Sequence, residues 1–218
     1  MRKAKVYGLE TGIVTILFTA ISIMLYSCIQ VQDEYPYGAT KYYRSGLSKN
    51  AIKDYDGAIA DYTKAIDVFP KYAFAYCQRG VTKDNLQDYR GAIIDFTIAI
   101  GLDPEHSNFY FYRGLARDSI YDLNGAIEDY TQAIKHDSRH ANAYRFRGIA
   151  KSNLKDFNGA IADFNKAIKI NPEFSAAYYY RGLTKMEMGQ KENGCLDMRI
   201  ALKLGLKEAS EGIKKYCN

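Results

Sequence analysis

Apolar and small residues recur along most of this chain at intervals of three and four, and the whole pattern returns every 34 residues. Arg79-Gly80, Arg113-Gly114, Arg147-Gly148 and Arg181-Gly182 keep that step, with Ser45-Gly46 one step earlier. Gly-Ala-Ile returns in phase at Gly57, Gly91, Gly125 and Gly159, and Ala-Ile follows at Ala65, Ala99, Ala133 and Ala167. Each period reads as two helices. In the second period Tyr76, Gly80 and Lys83 share a helical row, a polar Gln87-Asp88 turn intervenes, and Ala92, Phe96, Ala99 and Ile100 form an apolar stripe at 3–4 spacing. Pro104, like Pro70 and Pro172, stops the pair, because its ring removes a donor and clashes with the preceding turn. Gly80 and Ala92 are expected where the two helices cross most closely, and Tyr62, Phe96, Tyr130 and Phe164 are expected to fill the space between neighbouring pairs. One such pair cannot bury its own apolar face, so the units must stack into an all-α array.

The pattern resembles the tetratricopeptide repeat family: aromatic at the fourth position of each unit, Gly at the eighth, Ala at the twentieth, aromatic at the twenty-fourth, Ala at the twenty-seventh and Pro at the thirty-second. On this register the units run 39–72, 73–106, 107–140, 141–174 and 175 onward. Departures are local: Leu123 for an aromatic and Ser138 for Pro in the third unit, Lys191 and Gly194 in the fifth. The resemblance implies a right-handed α-solenoid of about five hairpins over 39–204, closed by a capping helix within 205–218. It also implies a concave groove lined by the first helix of each unit. The groove positions hold Phe74, Phe111, Tyr112, Arg145, Phe146, Tyr179 and Tyr180, with Asn85, Asn153, Asp84 and Asp118 farther along. Aromatic rings beside amides suit an extended peptide or a partner helix. The same rings can pack between adjacent first helices instead, and the sequence leaves that open.

Arg at the seventh position departs from the apolar residue usual in the family. Arg79, Arg113, Arg147 and Arg181 travel with Asp61, Asp95, Asp129, Asp163 and Asp197 at the twenty-third position. A guanidinium held between helices requires a bidentate acceptor, so a ladder of Arg–Asp pairs is expected. Spacing alone does not say whether each pair lies within a unit or between units.

The start of the chain has a different pattern. Arg2, Lys3 and Lys5 precede an uncharged stretch from Thr11 to Gln32 whose apolar centre runs from Ile13 to Tyr26. A basic start and a short apolar run suit an export signal, with the remainder outside the cytoplasmic membrane. Leu25-Tyr26-Ser27-Cys28 resembles the lipobox of bacterial lipoproteins, which implies lipidation of Cys28 and removal of 1–27, leaving 28–38 as a linker. Tyr26 and Glu10 depart from that pattern, and an uncleaved signal anchor is the alternative. An exported location permits disulfides. Cys195 and Cys217 lie eleven residues either side of Leu206, so two antiparallel helices folded about that turn would bring them level; two reduced, buried thiols are the alternative.

The formal charge of +5 is spread along the chain, which argues against a nucleic-acid patch. The sequence has no Gly-rich phosphate loop, nucleophile elbow or helical zinc motif, so neither catalysis nor a cofactor, metal or small-molecule substrate is expected. His136 and His140 are four apart, but the period places them on either side of a helix end. The expected role is a scaffold that binds a protein or peptide from an envelope membrane. A self-associating structural array and a cytoplasmic adaptor are the alternatives.

Overall fold

The computed structural model describes residues 35–217. Its helices pair in chain order: α1 (Tyr37–Ala51) with α2 (Tyr55–Val68), α3 (Ala73–Asn85) with α4 (Tyr89–Leu102), and α5 (Ser107–Ser119) with α6 (Leu123–His136). Then α7 (Ala141–Asn153) pairs with α8 (Phe157–Ile170), and α9 (Ser175–Glu187) with α10 (Lys191–Lys203), before α11 (Glu208–Tyr216) closes the stack. No strand occurs among the described residues, and no helix there is long and apolar enough to cross a membrane. The hairpins stack as a right-handed α-solenoid. Helix α1 begins at Tyr37, and Tyr35 stacks on Tyr72 with ring centroids 4.1 Å apart. The end of the expected 28–38 linker is thus part of the first packed unit.

The turns repeat as faithfully as the helices. Asp54, Asp88, Asp122 and Asp156 cap α2, α4, α6 and α8, each accepting from the backbone N–H of the glycine three residues on. The cap sits so close that a Cβ on Gly91 would lie 2.1 Å from the Asp88 carboxylate, which is why Gly opens each Gly-Ala-Ile motif. Just before each cap the chain takes a left-handed residue, at Lys53, Gln87, Tyr121, Lys155 and Gly189. Only the last is glycine, so the other four turns hold a strained conformation for the sake of the hairpin angle.

Inside each of the first four hairpins an aromatic ring lies on a bare backbone. Tyr62 covers Gly46, Phe96 covers Gly80, Tyr130 covers Gly114 and Phe164 covers Gly148; a Cβ on Gly114 would meet Tyr130 Cε1 at 2.6 Å. The ring therefore seals its own hairpin, and its outer side reaches the next one, as Phe96 does toward Tyr112 at 5.9 Å. The rings thus reach between neighbouring pairs as expected, and in addition close their own hairpins. The fifth hairpin has Met198 at that position, and its helices close until a Cβ on Gly182 would meet the Gly194 carbonyl at 2.8 Å. Alanines seal the rest: Ala58, Ala65, Ala92, Ala99, Ala126, Ala133, Ala160 and Ala167 are fully buried.

Helix α11 covers the open end. Gly212 rests on Met198 and Tyr179, and a disulfide joins Cys195 to Cys217 with Cα atoms 5.7 Å apart.

Replacing Gly114 by Ala forces the Tyr130 ring to move and is expected to cost about 1–3 kcal/mol in denaturant unfolding. Gly101, where a Cβ meets nothing within 4 Å, is the control: Gly101→Ala should stabilise by about 0.5–1 kcal/mol. Reducing the disulfide, whose partners are 22 residues apart, should lower stability by about 3 kcal/mol, and hydrogen exchange should speed up first in α11.

Candidate functional site

The first helices α1, α3, α5, α7 and α9 form the concave side. Tyr112, Phe146 and Tyr180, at one register position on three successive first helices, are each partly exposed there. Each is braced from behind: Tyr112 on Phe96, Phe146 on Tyr130 at 6.1 Å, and Tyr180 on Phe164 at 6.5 Å. Rings held in this way present area without having to be ordered on binding. Between α7 and α9 the surface sinks into a depression of about 390 Å³ with Ile149, Leu183, Phe164 and Tyr180 as its apolar walls. Asn153, Ser152 and Glu187 supply its polar rim. Asn153 and Asn85 are both exposed.

Of the expected groove lining, Phe111 is buried, while Tyr179 and Phe74 are partly exposed but packed against neighbouring elements. Phe111 is only 8% exposed, enclosed by Tyr130, His140 and Phe146. Tyr179 lies under the cap against Gly212. Phe74 is half-buried, edge-on to His106 and Phe109 of the next hairpin. Phe111 and Tyr179 both hold the fifth position of their units, and each packs on the element that follows it in the stack. Cys77 holds the same position, 3% exposed and unpaired, and burial pushes its thiol up to about 12.

Arg145 occupies this interior slot in the fourth hairpin. Its guanidinium lies 3.9 Å from the Phe146 ring centroid and 5.4 Å from that of Phe174. Its Nε is buried without a hydrogen-bond partner, and burial lowers its pKa, partly offset by Tyr180 and Tyr130. Asp84 and Asp118 are half-buried, and burial raises both carboxyls above their ordinary value. Tyr130 is fully buried, and its hydroxyl makes no hydrogen bond. Burial and then the charges of Asp118, Asp129 and Asp84 raise its pKa, while Arg145 acts in the opposite direction.

The Arg–Asp pairs lie within units. Arg79 donates from Nε and Nη2 to both oxygens of Asp95 at 3.0 and 2.8 Å. Arg113 meets Asp129 at 2.7 Å, Arg147 meets Asp163 at 2.6 Å, and Arg181 meets Asp197 at 2.6 Å. The third nitrogen reaches back to the preceding hairpin, where Arg79, Arg113 and Arg147 donate to Thr63, Thr97 and Thr131, and Arg181 donates to Asn165. A second cation, Lys83, Arg117, Lys151 or Lys185, sits on each of these four carboxylates. In the first hairpin Ser45 and Lys49 hold Asp61. The Thr and Lys partners are additions to the sequence reading, although their own 34-residue recurrence was there to be seen.

The histidines are engaged locally. His136 stacks on Tyr110, while His140 caps α7 through Nδ1 and meets Asn108 Oδ1 through Nε2. Cys28 lies outside the described residues.

Residues 42–72, 75–106 and 141–174 match family descriptions of the tetratricopeptide repeat. The array belongs to the tetratricopeptide repeat family. No curated protein matches the chain. Among solved structures it is similar to MamA, with 27% identity over 82% of this chain and 95% of that one, and a TM-score of 0.69. YrrB, described as a tetratricopeptide protein with an unusual peptide-binding site, shares the fold at 18% identity over 81% and 92% of the two chains, TM-score 0.68. The first such domain of Spaghetti (RPAP3), bound to the HSP90 peptide SRMEEVD, aligns at 24% identity over 54% and 94%, TM-score 0.53.

Removing one member of a buried pair leaves the other uncompensated. Arg113→Leu should therefore cost about 2–4 kcal/mol in denaturant unfolding, moderated by Arg117, which remains on Asp129. The more conservative Arg113→Lys should lose the backward bond to Thr97 and recover only part of that stability.

Proposed function

We propose that this tetratricopeptide array is an interaction scaffold that takes a peptide or partner helix in its concave groove, held outside the cytoplasmic membrane by its N-terminal segment. The observation that carries the groove reading is the row Tyr112, Phe146 and Tyr180, each ring braced from behind and open on the concave side, leading to the depression beside Asn153. An occupant adds its own apolar side chains to surfaces already ordered, and Asn153 and Asn85 can bond its backbone. Two solved relatives described as peptide-binding or peptide-bound support the general mode. The exported, tethered location rests on the basic start, the apolar run Ile13 to Tyr26 and the lipobox-like Leu25-Tyr26-Ser27-Cys28.

One observation favours self-association as a second reading. On α4 the apolar residues Ile94, Ile98 and Leu102 follow at four-residue intervals and are 60%, 37% and 36% exposed, a stripe on the convex side.

Affinity capture from membranes with the wild type and with a Tyr112→Ala, Phe146→Ala, Tyr180→Ala variant separates the two. Loss of the captured partner with helicity and assembly state preserved supports the groove. Unchanged capture, or dissociation of the array produced only by Ile94→Glu and Ile98→Glu, supports the convex stripe. Intact-mass analysis of membrane-extracted protein should find the chain beginning at a lipidated Cys28; an unmodified chain in the soluble fraction would reject the tether.

A further inference from the structure

The twelfth position of each unit is occupied in turn by Asn50, Asp84, Asp118, Ser152 and Met186, all on the first helices. At two of these positions the fold supplies a partner from the tenth position of the following unit. Asn50 Oδ1 accepts from Thr82 at 3.4 Å, and Ser152 pairs with Thr184 at 3.1 Å. Where the residue is an acid, the corresponding partner is absent: Asp84 has Ala116 in that place and Asp118 has Ala150, both fully buried and without a donor. The two strongest acceptors of the set therefore stand in the two units that offer them nothing.

Other acids on these hairpins are treated differently. Asp95 and Asp129 each hold two cations, Arg79 with Lys83 and Arg113 with Arg117. Among the described residues no cation pairs with Asp84 or Asp118, and Asp84 Oδ1 is buried without a hydrogen bond. Beside them lies the Tyr130 ring, wholly buried, passing over Gly114 one helical turn before Asp118, with its hydroxyl likewise unbonded. Past it comes the unpartnered Nε of Arg145, in a slot where the equivalent Cys77 and Phe111 are apolar and buried. Half-buried carboxylates, a buried phenol and a buried guanidinium nitrogen without hydrogen-bond partners are costly to maintain unless something answers them. A metal ion is a poor answer, since the described residues hold no group of three side chains able to ligate one.

We infer that the groove across the second, third and fourth hairpins receives the Lys or Arg side chain of an extended peptide, with Asp84 and Asp118 as acceptors and Arg145 donating to a carbonyl or carboxylate oxygen of the same peptide. The order of charge along the stack, acid, acid, then base, places the peptide's basic side chain toward the second hairpin and the accepting oxygen toward the fourth. The inference rests on the groove reading and adds the chemistry that the groove selects.

A phage-displayed random heptapeptide library selected on the full chain tests it. Lys or Arg should be enriched at one position of the recovered peptides. Binding of a selected peptide, followed by fluorescence anisotropy, should weaken about tenfold or more with Asp118→Asn, with Asp84→Asn, or when its basic residue is replaced by norleucine. Both Asn variants should raise Tm rather than lower it, since each removes an unpaired, half-buried charge; that separates lost recognition from lost folding. Arg145→Gln should weaken every selected peptide. Peptides without a basic residue, still displaced by Tyr112→Ala and Tyr180→Ala, would overturn the charge assignment and leave the groove standing. Selected peptides indifferent to all these substitutions would overturn both. Cadaverine competing as well as the peptide itself would show that a free diamine, not a peptide, is the occupant.

Discussion

A guanidinium with three bonds to two hairpins sets the geometry on which everything else rests. Each arginine of the seventh position uses one edge for the aspartate of its own hairpin and the remaining nitrogen for the hydroxyl or amide of the hairpin before. The planar fork has fixed angles, so the offset from one pair to the next is set more narrowly than apolar contact would allow. A second cation on the same carboxylate adds a further charge-assisted bond where Asp95 is 1% exposed. The curvature of the concave side is the accumulated result of four such joints.

Within that frame the aromatic residues divide into two populations. Rings of the second helices lie on glycines of the first and close the first four hairpins, while Tyr112, Phe146 and Tyr180 lean on those rings and face outward. Both populations are built from phenylalanine and tyrosine, and the chain has no tryptophan. A six-membered ring fits over a glycine, and the partly exposed Tyr112 and Tyr180 keep an apolar body against the core at the groove surface.

Much of this was legible in the sequence, because a 34-residue period reports both helices, the turn and the close-approach glycines at once. The Arg–Asp correlation was visible too, but only coordinates could place it inside the hairpin with a reach backward. The groove lining was read less well. Phe111, Tyr179 and Tyr112 are indistinguishable as aromatic residues on a first helix, yet the first two point along the stack and the third across it. That difference depends on side-chain direction and on what the neighbouring unit places opposite, as when Ala116 and Ala150 stand where Thr82 and Thr184 do in other units. Here the informative signal is a broken repeat, which a search for regularity passes over.

The two ends of the array are not mechanically equivalent. The last hairpin is stapled covalently to its cap through Cys195 and Cys217, whereas in the first Ser45 and Lys49, not an arginine, hold Asp61. The internal lock of the first hairpin is therefore the weakest of the five, and tension on the array is expected to open that hairpin before the stapled one. The stapled end remains folded as a seed from which the rest can wind back.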